Sequence, residues 1–104
     1  MSNLRYLGGI SGNGTLKCDG EEVARASYDF DGYFNKPSGV TSCGEIRLAA
    51  AALSSVFGRK DVQLLTDDGR LLDLRFSEKQ LPAASEVAHV DVTGDLPTPR
   101  NWRH

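Results

Sequence analysis

The sequence predicts a mostly β domain of the α+β class, in which about seven antiparallel strands form hairpins and curl into an open barrel with one short helix near 49–57. Three features predict this fold: glycine-containing turn signals, alternation of apolar and polar residues between them, and one segment with helical spacing. The turn signals are GNG at 12–14, DG at 19–20, DG at 31–32 and DDG at 67–69. Glycine adopts the positive φ that tight hairpin turns require, so hairpins are expected at these positions.

The first third of the chain is predicted to be a three-stranded meander. A three-residue loop at 12–14 pairs Ile10 with Leu16, and a three-residue loop at 19–21 pairs Leu16 with Ala24. Side chains on a strand alternate between its two faces, so this register determines which residues face the core. The predicted inward set is Tyr6, Ile10, Leu16, Ala24, Ala26, Tyr28 and Phe30.

Two aspartates lie in the stretch SYDFDGYF at 27–34, and they raise the question of a calcium loop. An EF-hand loop runs D-x-D-x-D-G and ends with a Glu at its twelfth position. Here Gly32 directly follows Asp31, and no Glu stands at the twelfth position counted from Asp29. The alternation instead predicts a strand whose outer face carries both aspartates, followed by a loop that Gly32 opens and that spans 33–44.

The segment SCGEIRLAAAALSSVFG at 42–58 contains the helical candidate. Its apolar residues recur at helical spacing, and Ser42 and Glu45 are spaced like a capping box. The first half of the segment also alternates as a short strand. Two interpretations stay open: a strand at 43–48 followed by a helix at 49–57, which we favour, or one long helix.

The segment DVQLLTDDGRLLDLRF at 61–76 is predicted to be a hairpin. A three-residue loop with a left-handed Gly69 places apolar residues opposite each other, whereas a two-residue loop would mix the faces. The resulting pairs are Leu64 with Leu72 and Val62 with Leu74. In the last strand, at 86–93, Ala88, Val90 and Val92 face inward, and His89, Asp91 and Thr93 face outward.

Composition narrows the class of protein. The chain has 104 residues, of which 1–94 are expected to form one domain and 95–104, with two prolines, an extended C-terminal tail. The net charge of −2 does not favour a nucleic-acid partner. The N-terminus lacks the apolar core of a signal peptide, and the longest apolar run, LAAAAL, is too short to span a bilayer. With two cysteines and no metal-binding spacing, we expect a cytoplasmic protein with no membrane association, no metal and no cofactor.

The leading functional hypothesis is a small non-catalytic binding or protein-interaction module, which uses the 33–44 loop to bind an unidentified protein or small ligand. No complete catalytic set is present, whereas the loop combines adjacent aromatic residues with charges. The candidate binding residues are Asp29, Asp31, Tyr33, Phe34, Lys36 and Trp102. We expect Trp102, which lies between Arg100 and Arg103 in the sequence, to dock on its own domain or on a second copy.

Two alternatives stay open. The first is a small enzyme in which His89 and Asp91 act with Cys43 or with water, since an Asp beside a His orients the imidazole ring. This alternative predicts that His89 lies in a cleft and is hydrogen-bonded to Asp91. The second is a homo-oligomeric structural subunit, with a homodimer formed by pairing of an edge strand at 3–11.

Overall fold

The computed structural model describes residues 4–35, 39–94, 96 and 102, and in this part of the chain six antiparallel strands close into a barrel. The strands are β1 (Arg5–Cys18), β2 (Glu21–Asn35), β3 (Gly39–Arg47), β4 (Val62–Thr66), β5 (Leu71–Phe76) and β6 (Val87–Gly94), and the helix α1 (Ala50–Val56) lies between β3 and β4. The order around the barrel is β1-β2-β3-β6-β5-β4, and β4 pairs with β1. The mostly β prediction is confirmed, with a closed barrel of six strands in place of an open one of about seven.

The strand count differs because the GNG sequence at 12–14 is not a turn. It lies inside β1, where Gly12 pairs with Tyr28 and neither of its glycines has a positive φ. A Cβ atom on Gly14 would stand 2.5 Å from the carbonyl oxygen of Leu65 on β4. Glycine is required there for close approach of two backbones, and the predicted first hairpin is wrong.

The turn between β1 and β2 contains two residues. Asp19 and Gly20 both have positive φ, of 53° and 81°, which is the conformation of a tight hairpin turn. The predicted pairing of Leu16 with Ala24 is nevertheless confirmed, because the register shifts by one residue just after Leu16. This bulge restores the pairing that a longer loop would have produced.

The predicted loop at 33–44 is also wrong. β2 continues to Asn35 and β3 begins at Gly39, with Tyr33 opposite Thr41 and Phe34 opposite Val40. The Asp31-Gly32 dipeptide lies within a strand, and the glycine makes room for the indole ring of Trp102. The two strands of this hairpin therefore continue the barrel wall through 32–35 and 39–42.

Tyr6 lies outside the barrel, contrary to its predicted position. The register of β1 shifts between Tyr6 and Gly8, where Gly8 has a φ of 124°. This irregularity turns Leu7 inward, to 2% exposure, and leaves Tyr6 50% exposed. A single-residue shift exchanges the two faces of a strand, which explains the error.

The segment after β2 forms a strand and then a helix, as we favoured, and the alternative of one long helix is wrong. The helix is short and turns Leu53 and Val56 into the barrel, where both are almost fully buried. No helix in the described part of the chain is long and apolar enough to cross a membrane.

The β4–β5 hairpin and β6 match the prediction. Leu64 pairs with Leu72 and Val62 with Leu74, and Gly69 has a φ of 93°. The inward side chains of β6 are buried and its outward ones exposed. The core fills the barrel; its largest fully buried side chains are Leu16, Phe30, Ile46, Leu53, Val62, Leu64, Leu72, Leu74, Val90 and Val92.

Candidate functional site

The outer surface of β2, β3 and β6 brings together residues that the sequence placed in two separate hypotheses. Alternation along each strand turns two exposed side chains outward from each. Strand register aligns them in two rows, Asp31–Cys43–Asp91 and Asp29–Glu45–His89. We call this surface of six residues the acidic face. It contains the two predicted binding carboxylates of β2 and all three residues of the enzyme hypothesis.

The acidic face is concave. It lines a groove of about 560 Å³, to which Ser77 and Glu78, just after β5, also contribute. The carboxylate of Glu78 accepts a hydrogen bond of 2.8 Å from the backbone N–H of His89. This bond holds the segment after β5 against β6 and adds a further carboxylate to the groove.

The carboxylates of the acidic face form no ion pair among the described residues, and no Lys or Arg lines the groove. The ion pairs in the described part of the chain are Arg25–Asp67, Arg59–Asp61 and Arg70–Asp68. All three lie elsewhere on the barrel. Arg75 is opposite Asp91 in the register, but no ion pair forms between them. The groove is consequently a region of negative potential that a partner can neutralise.

Cys43 lies in the middle of one row, between Asp31 and Asp91. Burial of part of the thiol raises its pKa, and the charges of Asp91 and then Asp31 raise it further. A nucleophilic cysteine needs the opposite environment, one that stabilises the thiolate. The imidazole of His89 also makes no hydrogen bond to Asp91 within the described residues. The three residues lie close together without forming a nucleophilic relay.

An aromatic pair borders the acidic face at the end of β2. The rings of Tyr6 and Tyr33 have centroids 5.5 Å apart and are inclined at 59°. The Tyr6 hydroxyl donates a 3.0 Å hydrogen bond to Oδ1 of Asp31, which joins the pair to the carboxylates. Phe34 projects from the other side of β2, where the guanidinium of Arg5 lies 5.8 Å from its ring centroid.

Trp102 lies on the opposite side of β2 from the acidic face. It is 4% exposed, and its indole covers Gly32 so closely that a Cβ there would stand 2.6 Å from three ring atoms. Trp102 thus docks on its own domain, one of the two expected outcomes, and it is not available on the outer surface. Lys36, another candidate binding residue, lies outside the described residues, as does most of the 95–104 segment.

Sequence reasoning missed three members of the site. Glu45 could have been predicted from the strand alternation at 43–48, because it faces the same way as Cys43. Tyr6 was predicted to face the core, because the sequence gives no sign of the bulge that follows it apart from Gly8 and Gly9. Glu78 follows β5 in an irregular segment, where no periodicity predicts the direction of a side chain.

The second cysteine belongs to a different cluster. The Cys18 thiol donates a 3.2 Å hydrogen bond to Asp61, whose carboxylate also accepts two hydrogen bonds from Arg59. Burial raises the pKa of Cys18, and the bond to Asp61 raises it further. This group connects the end of β1 to the segment before β4 and is a structural tie.

Among the described residues, no three His, Cys, Asp or Glu side chains converge in a way that would hold a metal ion. A nucleic-acid partner, which the net charge already disfavours, would need exposed cations on one face, and Arg25 is engaged by Asp67 through hydrogen bonds of 2.8 and 2.7 Å. Comparisons with protein-family models, with curated proteins and with solved structures find no match for this chain.

Proposed function

We propose that this protein is a non-catalytic interaction module, which binds a positively charged segment of a partner protein along the acidic face. The observation that supports this proposal is the alignment of carboxylates from three strands in one groove, where they form no ion pair among the described residues and no Lys or Arg lines the groove. Complementary charge of this kind steers a partner toward the site and selects against acidic competitors.

The spacing of the carboxylates suits an extended basic segment. Asp29 and Asp31 are two residues apart on β2, a separation of about 7 Å along the strand. Side chains at alternate positions of an extended peptide have the same spacing. The neighbouring strands place further carboxylates about 5 Å to the side, within reach of flexible Lys and Arg side chains.

The aromatic pair supplies an anchor beside the charges. Tyr6 is half exposed, and its ring lies next to Tyr33 at the edge of the groove. A Lys or Arg side chain that reaches Asp31 passes the faces of these rings, where cation–π attraction adds to the ion pair. Tyrosine is also enriched among the residues that contribute most to binding at interfaces.

The competing hypotheses are less well supported. The raised pKa of Cys43 opposes an enzyme that uses it as a nucleophile. An enzyme that uses water in place of the thiol is distinguished by an assay for ester hydrolysis. A homodimer formed through the acidic face would place like charges together and is disfavoured. A homodimer through the β1 edge stays a prediction, with Asn3 outside the described residues.

The test uses a fluorescent peptide of alternating Lys and Ser, with an alternating Glu and Ser peptide as its counterpart. We expect the wild-type chain to bind the basic peptide at low salt and to ignore the acidic one. The variant Asp29→Asn/Asp31→Asn/Asp91→Asn should bind at least about tenfold more weakly. Assays for hydrolysis of ester substrates, run in parallel, would favour the enzyme hypothesis if His89→Ala abolished a measured activity.

A matched control variant distinguishes an effect of the acidic face on binding from an effect of the chain's net charge. The control variant carries Asp19→Asn, Glu21→Gln and Glu22→Gln, which changes the net charge equally. These residues lie at the turn between β1 and β2, at the far end of β2 from Asp31. If the control weakens binding as much as the face variant does, or if the wild type does not bind the basic peptide, the proposal is wrong.

A further inference from the structure

The inner side of β2 carries a second feature, which is independent of the acidic face. Gly32 presents bare backbone toward the interior, and the indole of Trp102 lies flat on it. Two ring-fusion carbons and a third ring atom are equally distant, at 2.6 Å, from the position of a Gly32 Cβ. Any larger residue at 32 would therefore occupy the space of the ring.

Ser42 lies beside this contact, and its buried hydroxyl forms no hydrogen bond there. It is the direct register partner of Gly32 on β3, and on its other side it pairs with Val92 of β6. Register partners project to the same face of a sheet, so the Ser42 side chain points to the side that Trp102 occupies. The residue is 6% exposed, and its hydroxyl has no hydrogen-bond partner in the described part of the chain.

Ser42 and Trp102 form no hydrogen bond with each other in this structure, and the chemistry of the ring limits what it could offer. A serine hydroxyl both donates and accepts hydrogen bonds, whereas the indole of tryptophan is a donor only. The ring of Trp102 therefore cannot accept the Ser42 proton, wherever its N–H points. Buried polar groups are almost always paired in native proteins, and an unpaired one calls for an explanation.

We propose that Gly32, Ser42 and the space filled by the Trp102 ring form a binding site for a flat, neutral heteroaromatic molecule, which competes with Trp102 for that space. Gly32 provides the flat stacking surface. Ser42 provides a hydrogen-bond donor for a pyridine-type ring nitrogen, which an indole lacks. The chain's own tryptophan occupies the site in this structure as an incomplete substitute for the ligand.

The first experiment opens the site with Trp102→Ala and titrates it with three bicyclic probes of one shape. Indazole has a ring nitrogen that accepts a hydrogen bond, indole has only the N–H, and indene has neither. We expect indazole to bind about tenfold more tightly than indene, and more tightly than indole, which can donate to Ser42 but leaves the Ser42 proton unpaired. Ser42→Ala should remove this preference for indazole. Gly32→Ala in the same background should abolish binding of all three, because its Cβ occupies the ring position.

The second experiment uses the wild-type chain, so it does not depend on the variant folding. Trp102 is the single tryptophan, and its indole N–H gives one signal in a ¹H–¹⁵N spectrum. Indazole should move that signal to the position of an exposed indole. The indazole concentration at the midpoint of this change should be higher in Ser42→Ala than in the wild type.

Three results would each overturn the proposal. A folded Trp102→Ala variant that binds none of the probes has no site. A preference for indazole that survives Ser42→Ala shows that the hydroxyl is not the recognising group. A Trp102 signal that saturating indazole leaves in place shows that the residue is a permanent part of the core. None of these results bears on the acidic face, which lies on the other side of β2.

Discussion

The indole ring of Trp102 lies directly on the backbone of Gly32, with no room for a side chain between them. This contact ties Trp102 to the C-terminal part of β2, where Gly32 lies between Asp31 and Tyr33 in the sequence. It explains a glycine that would otherwise be attributed to a turn. It also links the interior of the barrel to the strand that carries Asp29 and Asp31, two of the six residues of the acidic face.

Gly32→Ala should expel the ring and lower the free energy of unfolding by about 2 kcal/mol, the usual cost of overpacking a filled site. Denaturant unfolding and the emission of the single tryptophan measure the two effects, and the emission should shift toward that of exposed indole. Gly9→Ala is the matched control on β1, since its Cβ would meet its nearest neighbour at 3.4 Å, an ordinary contact. Equal effects of the two substitutions would contradict the role given to Gly32.

Gly14→Ala should be more damaging than Gly12→Ala. At Gly14 the new Cβ meets the backbone of β4, 2.5 Å from the Leu65 oxygen, whereas at Gly12 it meets the hydroxyl end of the Tyr28 side chain at 3.2 Å. We expect a loss of at least about 2 kcal/mol at Gly14 and less than about 1 kcal/mol at Gly12. Urea unfolding of both variants measures the difference. A reversed order would mean that the β1–β4 pairing does not close the barrel.

Cys43 should react slowly with thiol reagents at neutral pH. Burial and the charges of Asp91 and Asp31 raise its pKa, so the reactive thiolate is a small fraction until the pH exceeds that raised value. The labelling rate should continue to increase at pH values where an ordinary thiol is already fully ionised. Peptide mapping by mass spectrometry separates Cys43 from Cys18. Asp91→Asn should accelerate labelling more than Asp31→Asn, and fast labelling of the wild type at neutral pH would revive the nucleophile hypothesis.

Asp61 should make stability depend on pH in the acid range. Its hydrogen bonds with Arg59, and then with Cys18, hold the pKa of the carboxyl well below its usual range. A carboxyl with a depressed folded-state pKa stabilises the fold above its unfolded value of about 3.9, and that stability is lost as the pH falls. The melting temperature of the wild type should therefore fall below pH 4 more steeply than that of Asp61→Asn.

Arg59→Gln provides the control for this effect, because it removes the first cause of the shift and leaves the carboxyl in place. Its melting curve should have a shallower acid slope than that of the wild type. Parallel slopes for all three proteins between pH 5 and pH 2 would show that Asp61 is not coupled to folding.

The aromatic pair should contribute to binding through its ring more than through its hydroxyl. Tyr6→Phe removes the hydrogen bond to Asp31 and keeps the ring, whereas Tyr6→Ala removes both. We expect affinity for the basic peptide to fall about tenfold in the alanine variant and only slightly in the phenylalanine variant. Fluorescence anisotropy measures both, and equal losses would assign the contribution to the hydrogen bond.

Local patterns were sufficient for the second half of the barrel. The hairpin around Gly69 was predicted with the correct register because its turn, its strands and its apolar pairs all lie within 61–76. The outward direction of His89 and Asp91 followed from alternation alone. The outward direction of Asp29 and Asp31 followed in the same way, and each of these predictions depended only on neighbours along the chain.

Glycines were ambiguous for the same reason. Gly20 and Gly69 permit turns, as predicted, whereas Gly14 and Gly32 make room for a strand and for a ring that come from distant parts of the chain. A sequence shows that a position lacks a side chain, but the partner that requires the space is visible only in the fold. The wrong hairpin at 12–14 and the wrong loop at 33–44 both arose from this ambiguity.

The acidic face depends on long-range pairing in the same way. Alternation along the chain determined that each of its residues points outward from its own strand. Only the pairing of β3 with both β2 and β6 decided that these strands are neighbours, and that Asp31, Cys43 and Asp91 lie in one row. Side-chain direction is a local property of a strand with a period of two residues, whereas the order of strands in a closed barrel is set by contacts between residues far apart in sequence.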